Sequence, residues 1–400
     1  RWHWAMLVFV AGYFAFQSIW LHLLWFGFAV ALPGVLMHRD WKASLKPGGF
    51  LLLAVVFVLG MLLLSFRPGL PQSNLGWIGV LLAIGDSWLL LVFLDAAVRL
   101  GRRRERFPMQ AMEWMVKVAG ITAIISLLVF YWLPGNAFPS SRLQNVVVHF
   151  GLAPVLTGLS YAFAGLAAAI LAMRAKVHWQ WLAWEALLIF AALCSHSRGG
   201  VLALAVGFLV LIVVAFRREL CRPLMVLGAV LVIYQWGIPL LLKPNAAAGM
   251  AASSSDSSPA EALIARKDAG RLLLYRIIWK RMEAPTDYVL GRGRWANDVV
   301  KAPEMHWHAH HPHSVYLATF YRGGAVGVTL LAIVLGAGLL RCWRVARAGQ
   351  PIWLALACFG LTAFVFDGDD MATLVSMPRF EPLLLWLPLA VGVGASQRSG

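Results

Sequence analysis

Long apolar runs separated by short polar breaks extend over the whole chain. The runs are roughly 15 to 25 residues long, the length with which an α-helix crosses the ~30 Å hydrocarbon core of a bilayer. A second run follows the first at once, so we expect a retained span and not a cleaved signal peptide. The pattern predicts an all-α, polytopic membrane protein with about twelve transmembrane helices, over approximately residues 3–17, 19–37, 50–66, 75–98, 118–133, 152–173, 182–196, 200–216, 224–242, 314–340, 352–366 and 381–395.

Basic residues are concentrated in every second polar break. Lys and Arg are retained on the cytoplasmic side of a membrane, so these breaks are predicted to be cytoplasmic. Most of the breaks between them carry a single basic residue, namely Arg67, Arg142, Arg198 or Arg379. With twelve spans, both termini are expected in the cytoplasm and the opposite breaks outside, which in a bacterium means the periplasm.

One external break is much longer than the others and covers residues 243–313. Its first part is rich in Ala and Ser and cannot bury a core. Two short helices are predicted after it, over residues 260–267 and from Arg271 to Met282; the second has one apolar and one basic side, which suits a membrane surface. The expected organisation is therefore residues 1–242 with transmembrane helices 1 to 9, 243–313 as a large periplasmic loop, and 314–400 with helices 10 to 12 and a cytoplasmic tail.

Composition excludes several function classes. The chain is 60% hydrophobic and only 13% charged, which is incompatible with a soluble domain. Its formal net charge of +16 comes mostly from short breaks between spans, so it indicates topology and not a nucleic-acid surface. The four cysteines lie in or beside apolar runs, which argues against a disulfide or a cysteine metal site. Phosphate-binding glycine motifs are missing, so no nucleotide partner is expected.

Five histidines crowd the end of the long loop: His306, His308, His310, His311 and His313. Imidazole is a common ligand of zinc and copper, so a metal site is one interpretation. The spacing fits no fixed ligand geometry, however, and no carboxylate partner follows nearby, so we expect no metal. The other interpretation is an amphipathic belt at the headgroup level. His313 differs from the rest because it stands where the chain re-enters the membrane, directly before Ser314.

Three arginines are predicted at the external face. Arg198 lies on a turn with Gly199 and Gly200, which would allow close approach of a ligand, and Arg271 begins the amphipathic helix of the loop. A guanidinium has a planar fork that suits phosphate, so these two arginines predict a phosphate or diphosphate site. Interfacial anchors or surface charges are the structural alternatives. Arg142, in the preceding external break, is a further candidate for phosphates or a solvated loop charge.

These motifs resemble those of the bacterial O-antigen ligases and the related O-antigen polymerases and protein O-oligosaccharyltransferases. The family's His-[Asn/Ser/Gln]-x9-Gly-x-x-[Gly/Thr/Tyr] motif is matched by His313, Ser314, Gly324 and Gly327. The turn at Arg198 resembles the family's Ser-Arg-Gly turn. Arg271 resembles the arginine that opens the helix of its large loop, although Gly270 stands where relatives often have Ser.

The resemblance implies a GT-C-like glycosyltransferase of the bacterial inner membrane. It would transfer O-antigen glycan from undecaprenyl diphosphate to lipid A core oligosaccharide on the periplasmic side, without nucleotide, cofactor or metal. His313 would be the general base, and Arg198, Arg271 and Arg142 would bind diphosphate. One-step attack would invert the anomeric centre. Polymerase or protein O-oligosaccharyltransferase activity with the same donor stays open, because these enzymes differ only in the acceptor.

A proton-coupled secondary transporter is the alternative from another class. Twelve spans suit it, and carboxylates in or near apolar runs are functional candidates by default. They are Asp86, Asp95, Glu185, Asp367, Asp369 and Asp370. Against it, the chain has no paired broken helices in corresponding halves.

Overall fold

The computed structural model describes residues 7, 10–14, 45, 49–66, 77–103, 106–147, 153–174, 178–215, 218–237, 271–296, 311–373 and 380–398. All regular secondary structure in these ranges is helical, so the all-α prediction is confirmed for them. The helices are α1 (Phe50–Ser65), α2 (Trp77–Arg103), α3 (Arg106–Trp132), α4 (Pro154–Arg174), α5 (Trp179–Cys194), α6 (Arg198–Ala215), α7 (Cys221–Val232), α8 (Arg271–Lys280), α9 (Pro285–Leu290), α10 (Val315–Arg347), α11 (Ile352–Ala363) and α12 (Leu387–Ser396).

Four of the described helices, α2, α3, α4 and α10, contain segments long and apolar enough to cross a membrane. Six shorter apolar segments coincide with the other predicted spans from residue 50 onward. Two of them contain a π-helical segment: Ile233–Gly237 continues α7, and Pro382–Trp386 leads into α12. The run predicted over residues 19–37 lies outside the described residues. The protein therefore has membrane-spanning character, while the number of twelve spans stays a prediction.

The chain divides into two compact units, residues 1–111 with 270–400 and residues 112–269. In the first unit, small residues bring helix backbones into contact. A Cβ atom on Gly101 of α2 would lie 2.2 Å from the carbonyl oxygen of Val391 in α12, and one on Gly394 would lie 2.0 Å from that of Val98. Such close approach is a usual basis of helix association in membranes. Lipid tails are as apolar as the helices, so the helices are held together by van der Waals packing and not by the hydrophobic effect.

The second unit packs α4 against α5 and α6. Nearly the whole of α4 from Thr157 to Ala172 is buried, which fits a central helix rich in Ala and Gly. A Cβ on Gly158 would collide with the side chains of Ser195 and Ser197, at 2.2 and 2.3 Å. The first turns of α4 are thereby held directly against the turn that leads into α6.

The described part of the long loop belongs to the first unit and contains α8 and α9. The helix predicted from Arg271 to Met282 is present as α8. Its apolar side does more than face a membrane surface, because Leu274 and Ile278 are buried in a cluster with Met282 and Tyr321 of α10. The helix predicted over residues 260–267, the Ala/Ser-rich segment and His306, His308 and His310 lie outside the described residues.

Candidate functional site

His313 stands two residues before α10, held by contacts with the end of α11. The amide of Val315 donates to the carbonyl of Phe364 at 3.1 Å, and the hydroxyl of Tyr316 donates to the carbonyl of Leu361 at 2.9 Å. The φ angle of His313 is 51°, an uncommon left-handed conformation for a residue other than glycine. Such a conformation is held only by surrounding contacts, and it is a frequent feature of functional sites.

The imidazole of His313 pairs with a carboxylate far away in the sequence. Its Nδ1 lies 3.3 Å from Oδ1 of Asp367, and the two side chains are 26% and 7% exposed. The amide of Gly368 donates to the same carboxylate oxygen at 2.8 Å, which fixes its orientation. Burial raises the pKa of Asp367, but the hydrogen bond and charge of His313, with smaller effects from His311 and Gly368, bring it below its usual value. The carboxylate is therefore held in its charged form beside the ring.

His311 places a second imidazole beside the ring of His313. The ring centroids of His311 and His313 are 4.0 Å apart, and the amide of His313 donates to Nδ1 of His311 at 3.2 Å. His311, His313 and Asp367 each offer a possible metal-ligand atom, and these atoms lie within 4.8 Å of one another. The sequence reasoning found no carboxylate partner for the histidines because Asp367 follows only after the whole of α10 and α11.

Tyr275 connects Arg271 with this pair. It stands one helical turn after Arg271 on α8, and its hydroxyl lies 3.5 Å from the carbonyl of Val365. Burial raises the pKa of Tyr275 above its usual value. The positive charge of Arg271 lowers this pKa, the negative charge of Asp367 raises it, and a hydrogen bond with Ser314 lowers it. Tyr275 therefore interacts with two of the predicted site residues, Arg271 and Ser314, and with Asp367, the partner of His313.

The motif glycine Gly324 breaks α10. Its φ and ψ angles, 59° and −158°, lie in a region open essentially to glycine alone. A Cβ there would lie 2.4 Å from the carbonyl group of Val289 and 2.5 Å from the amide nitrogen of Gly291, so the backbone at the end of α9 touches the backbone of α10 directly. Next to the break, the amides of Arg292 and Gly293 donate to the carbonyls of Tyr321 and Arg322 at 2.8 and 2.9 Å. The loop is thus hydrogen-bonded to the kinked helix.

Gly327, the second motif glycine, lies where α10 packs against α1. A Cβ on it would lie 3.0 Å from Sδ of Met61 in α1, and one on Gly323 would lie 2.7 Å from the same atom. The small residues therefore let α1 and α10 approach closely.

A buried arginine, Arg294, ties the same loop to two helices and to the segment after α11. Its backbone amide donates to the hydroxyl of Ser65 at 2.9 Å, and its Nη1 donates to the hydroxyl of Ser87 at 2.8 Å. Its Nη2 lies 3.0 Å from the carboxylate of Asp370. Burial raises the pKa of Asp370, but Arg294 and then Arg322 lower it below its usual value.

Arg322, which directly precedes the glycine pair of α10, is the second buried arginine. Its guanidinium pairs with the carboxylate of Asp369, donates to the carbonyl of Asp369 at 3.1 Å and lies 3.8 Å from Asp370. The amide of Asp369 in turn donates to Glu381 at 3.0 Å. Asp369 and Asp370 therefore form ion pairs with the two arginines, whereas Asp367 is hydrogen-bonded to the ring of His313.

Arg198 and Arg142 lie in the second unit. Arg198 is exposed at the first position of α6, after Ser197, whose hydroxyl caps the helix by accepting from the amide of Gly200 at 3.2 Å. Nε of Arg142 donates to the carbonyl of Ser195 at 3.1 Å, two residues before that cap. Arg142 also lines a cavity of about 630 Å³, together with the polar side chains of Asn136, Ser140, Ser141, Gln144 and Asn145.

The structure thus brings His313, Ser314, Arg271, Gly324 and Gly327 together in one unit, and Arg142 and Arg198 in the other. Sequence reasoning missed Asp367 as a histidine partner, and it missed Tyr275, Arg294 and Arg322 altogether. The signals were weak: Tyr275 is four residues after Arg271 on a helix, and Arg322 is a charge inside an apolar run.

One comparison with known proteins gives a match. Residues 183–332 match the model of the family described as O-antigen ligase. The matched range contains Arg198, Arg271, His313, Gly324 and Gly327, whereas Arg142 and Asp367 fall outside it. No curated protein matches the chain.

Proposed function

We propose, from a match that supports membership of the O-antigen ligase family, that this membrane protein transfers a glycan from undecaprenyl diphosphate to the lipid A core oligosaccharide on the periplasmic side. The family suggests an O-antigen ligase- or polymerase-type glycosyltransferase, and our proposal goes further in naming donor and acceptor. The observation that carries it is the pairing of His313 with Asp367 at the entrance of α10, within a motif that the resemblance associates with catalysis.

In this proposal His313 removes the proton from the acceptor hydroxyl. Nδ1 of the ring faces Asp367, so a neutral imidazole that donates from Nδ1 has its proton-accepting nitrogen at Nε2. The ring becomes positively charged as it takes the proton, and the Asp367 carboxylate stabilises that charge. Asp367 is therefore a positioning residue, which acts through His313 and not on the substrate.

Negative charge develops on the diphosphate as it leaves the anomeric carbon. Arg271 stands one helical turn before Tyr275 on α8, and its positive charge acts on the Tyr275 phenol. In the other unit, Arg198 is exposed at the N-terminal end of α6, where the helix dipole adds to its positive charge. We propose that each of these arginines is a diphosphate-binding residue and that Arg142 contributes to binding of phosphates of donor or acceptor.

The proposed reaction is a single displacement without metal. Fixed guanidinium groups stabilise the departing diphosphate, and the acceptor oxygen attacks the anomeric carbon directly. The bond to the diphosphate oxygen breaks as the new glycosidic bond forms, so the anomeric configuration is inverted. The proposed active site faces the periplasm of a bacterial inner membrane, where both lipid-linked substrates reach it from the bilayer.

The paired carboxylates favour the transferase over a transporter. Asp369 and Asp370 have fixed cationic partners, Asp367 is hydrogen-bonded to His313, and Asp95 pairs with Arg99 at 3.0 Å one turn away on α2. A proton-coupled pathway uses carboxylates that gain and lose a proton, which ion pairs of this kind oppose.

Transfer by purified protein tests the proposal. Carrier-linked glycan is offered with lipid A core or with a second carrier-linked glycan, without nucleotide and with chelator present. We expect product on lipid A core, a loss of about 10²- to 10⁴-fold with His313→Ala, and normal activity with His178→Ala, a histidine at a predicted cytoplasmic end. Product only on the second carrier would indicate a polymerase, and no product on either acceptor would refute a transferase.

A further inference from the structure

His311, His313 and Asp367 can serve as metal ligands as well as form hydrogen bonds, because one possible ligand atom of each lies within 4.8 Å of the others. Two ligands that each lie 2.0–2.1 Å from a tetrahedral zinc ion are separated by about 3.3 Å. The distance from Nδ1 of His313 to Oδ1 of Asp367 is 3.3 Å. Only a small shift of these atoms would therefore admit an ion between them.

The backbone supplies the reason that two histidines so close in sequence converge. On an extended chain, the side chains of adjacent residues point to opposite faces. Those of residues i and i+2 point to the same face, but a regular strand keeps them well apart. The φ angle of 51° at His313 folds the chain back, and the ring centroids come within 4.0 Å. Asp367 then completes the set from the segment after α11, where Gly368 fixes its carboxylate by donating a hydrogen bond.

The ligand types select the class of ion. Two imidazoles and one carboxylate suit zinc, cobalt or nickel, whereas magnesium and calcium prefer oxygen ligands throughout. Three protein ligands leave a fourth position for water or for a substrate oxygen. The side chain of His313 is 26% exposed, so the rest of the protein does not enclose the set completely.

We propose that His311, His313 and Asp367 bind a zinc-class divalent transition-metal ion and that this ion inhibits glycan transfer. The inhibitory part rests on the proposed function of His313 as the base, whereas the metal site itself does not. An ion on Nδ1 replaces the proton that otherwise points at Asp367. The neutral ring then carries its single proton on Nε2, so Nε2 is a donor and cannot take the proton of the acceptor hydroxyl.

Metal binding is measured first, without any substrate. Purified full-length protein is titrated with Co²⁺, whose visible absorption reports nitrogen and oxygen ligation, and the bound ion is then displaced with Zn²⁺. The variants are His311→Asn, in which the amide oxygen can still accept from the amide of His313, and the triple variant His306→Ala, His308→Ala, His310→Ala. Thermal unfolding without metal verifies that both are folded. We expect the cobalt spectrum in the wild type and the triple variant, with affinity lower by at least about tenfold in His311→Asn.

Glycan transfer is measured next with Zn²⁺, Mg²⁺ or Ca²⁺, and each rate is normalised to the metal-free rate of the same variant. We expect inhibition by Zn²⁺ alone, reversal by chelator, and a half-inhibitory concentration at least about tenfold higher in His311→Asn. Equal inhibition of His311→Asn and the wild type, or its loss in the triple variant, would overturn the proposal. If no transfer occurs at all, the proposed function fails, while the cobalt titration still decides whether the metal site exists.

Discussion

Replacement of Asp367 tests the proposed catalytic pair most directly. Asp367→Ala removes both the charge and the acceptor that face Nδ1 of His313, whereas Asp367→Asn keeps an oxygen that can accept from Nδ1 and from the amide of Gly368. The two variants therefore separate orientation of the ring from stabilisation of its positive charge.

The magnitude follows from the strength of a hydrogen bond between charged partners. Such a bond contributes about 1.5–3 kcal/mol, and a neutral one about 0.5–1.5 kcal/mol. The separation of 3.3 Å is longer than the usual N–H···O distance, so the lower half of the range applies. At about 1.4 kcal/mol for each factor of ten, we expect kcat to fall roughly 10- to 30-fold in Asp367→Ala and about fivefold in Asp367→Asn.

The assay is steady-state transfer to lipid A core by purified protein, with donor and acceptor varied separately. The ring gains its charge only in the transition state, so kcat is expected to fall while KM stays nearly constant for both substrates. Asp287→Ala is the matched control, because Asp287 is also a buried carboxylate but caps α9, where it accepts from the amide of Ala284. We expect that variant to lose stability and keep its kcat.

Two results would refute the reasoning. A wild-type kcat in Asp367→Ala would show that the carboxylate does not support the base. An increase in KM with unchanged kcat would show that it supports substrate binding. Neither result would affect the match to the O-antigen ligase family, which covers residues 183–332 and does not include Asp367.

Three further predictions concern the scaffold and the anion site. Gly324→Ala should lower the free energy of unfolding by at least about 2 kcal/mol in a detergent melt, because the conformation excludes a side chain; Gly336→Ala, on the same helix with open space at its Cβ, should be neutral or slightly stabilising. Asp370→Asn should cost about 3 kcal/mol at pH 7 by breaking a buried pair. Because the pKa of Asp370 is lowered in the folded state, its contribution to the free energy of unfolding is complete above the unfolded pKa of about 3.9 and is lost as pH falls through the folded pKa. The stability difference between Asp370→Asn and the wild type should therefore shrink in acid. Glu283→Gln, at an exposed position, should show neither effect. Arg198→Ala should lower kcat by about 10²- to 10³-fold if it stabilises the leaving diphosphate, with partial activity in Arg198→Lys; loss no greater than in Arg276→Ala, an exposed arginine on α8, would contradict that role.

Much of the helical framework could be predicted from periodicity and length, because a bilayer requires long apolar helices whatever their neighbours are. Helix ends were less predictable. The run predicted to begin at residue 118 belongs to α3, which begins at Arg106, since polar residues continue the helix beyond its apolar part. Arg198, expected on a turn, is the first residue of α6, because Ser197 caps the helix directly before it.

The sequence by itself determined the membrane class, the position of the polar breaks, and the short motifs that include His313, Ser314, Gly324 and Gly327. These features depend on composition and on spacing along a single stretch of chain. Only the tertiary structure decided that Asp367 faces His313, that His311 shares the same point, and that Arg294 and Arg322 neutralise the carboxylates after α11. The physical reason is that a buried charge must find its partner in space, and helices packed side by side bring together residues that lie far apart in the chain.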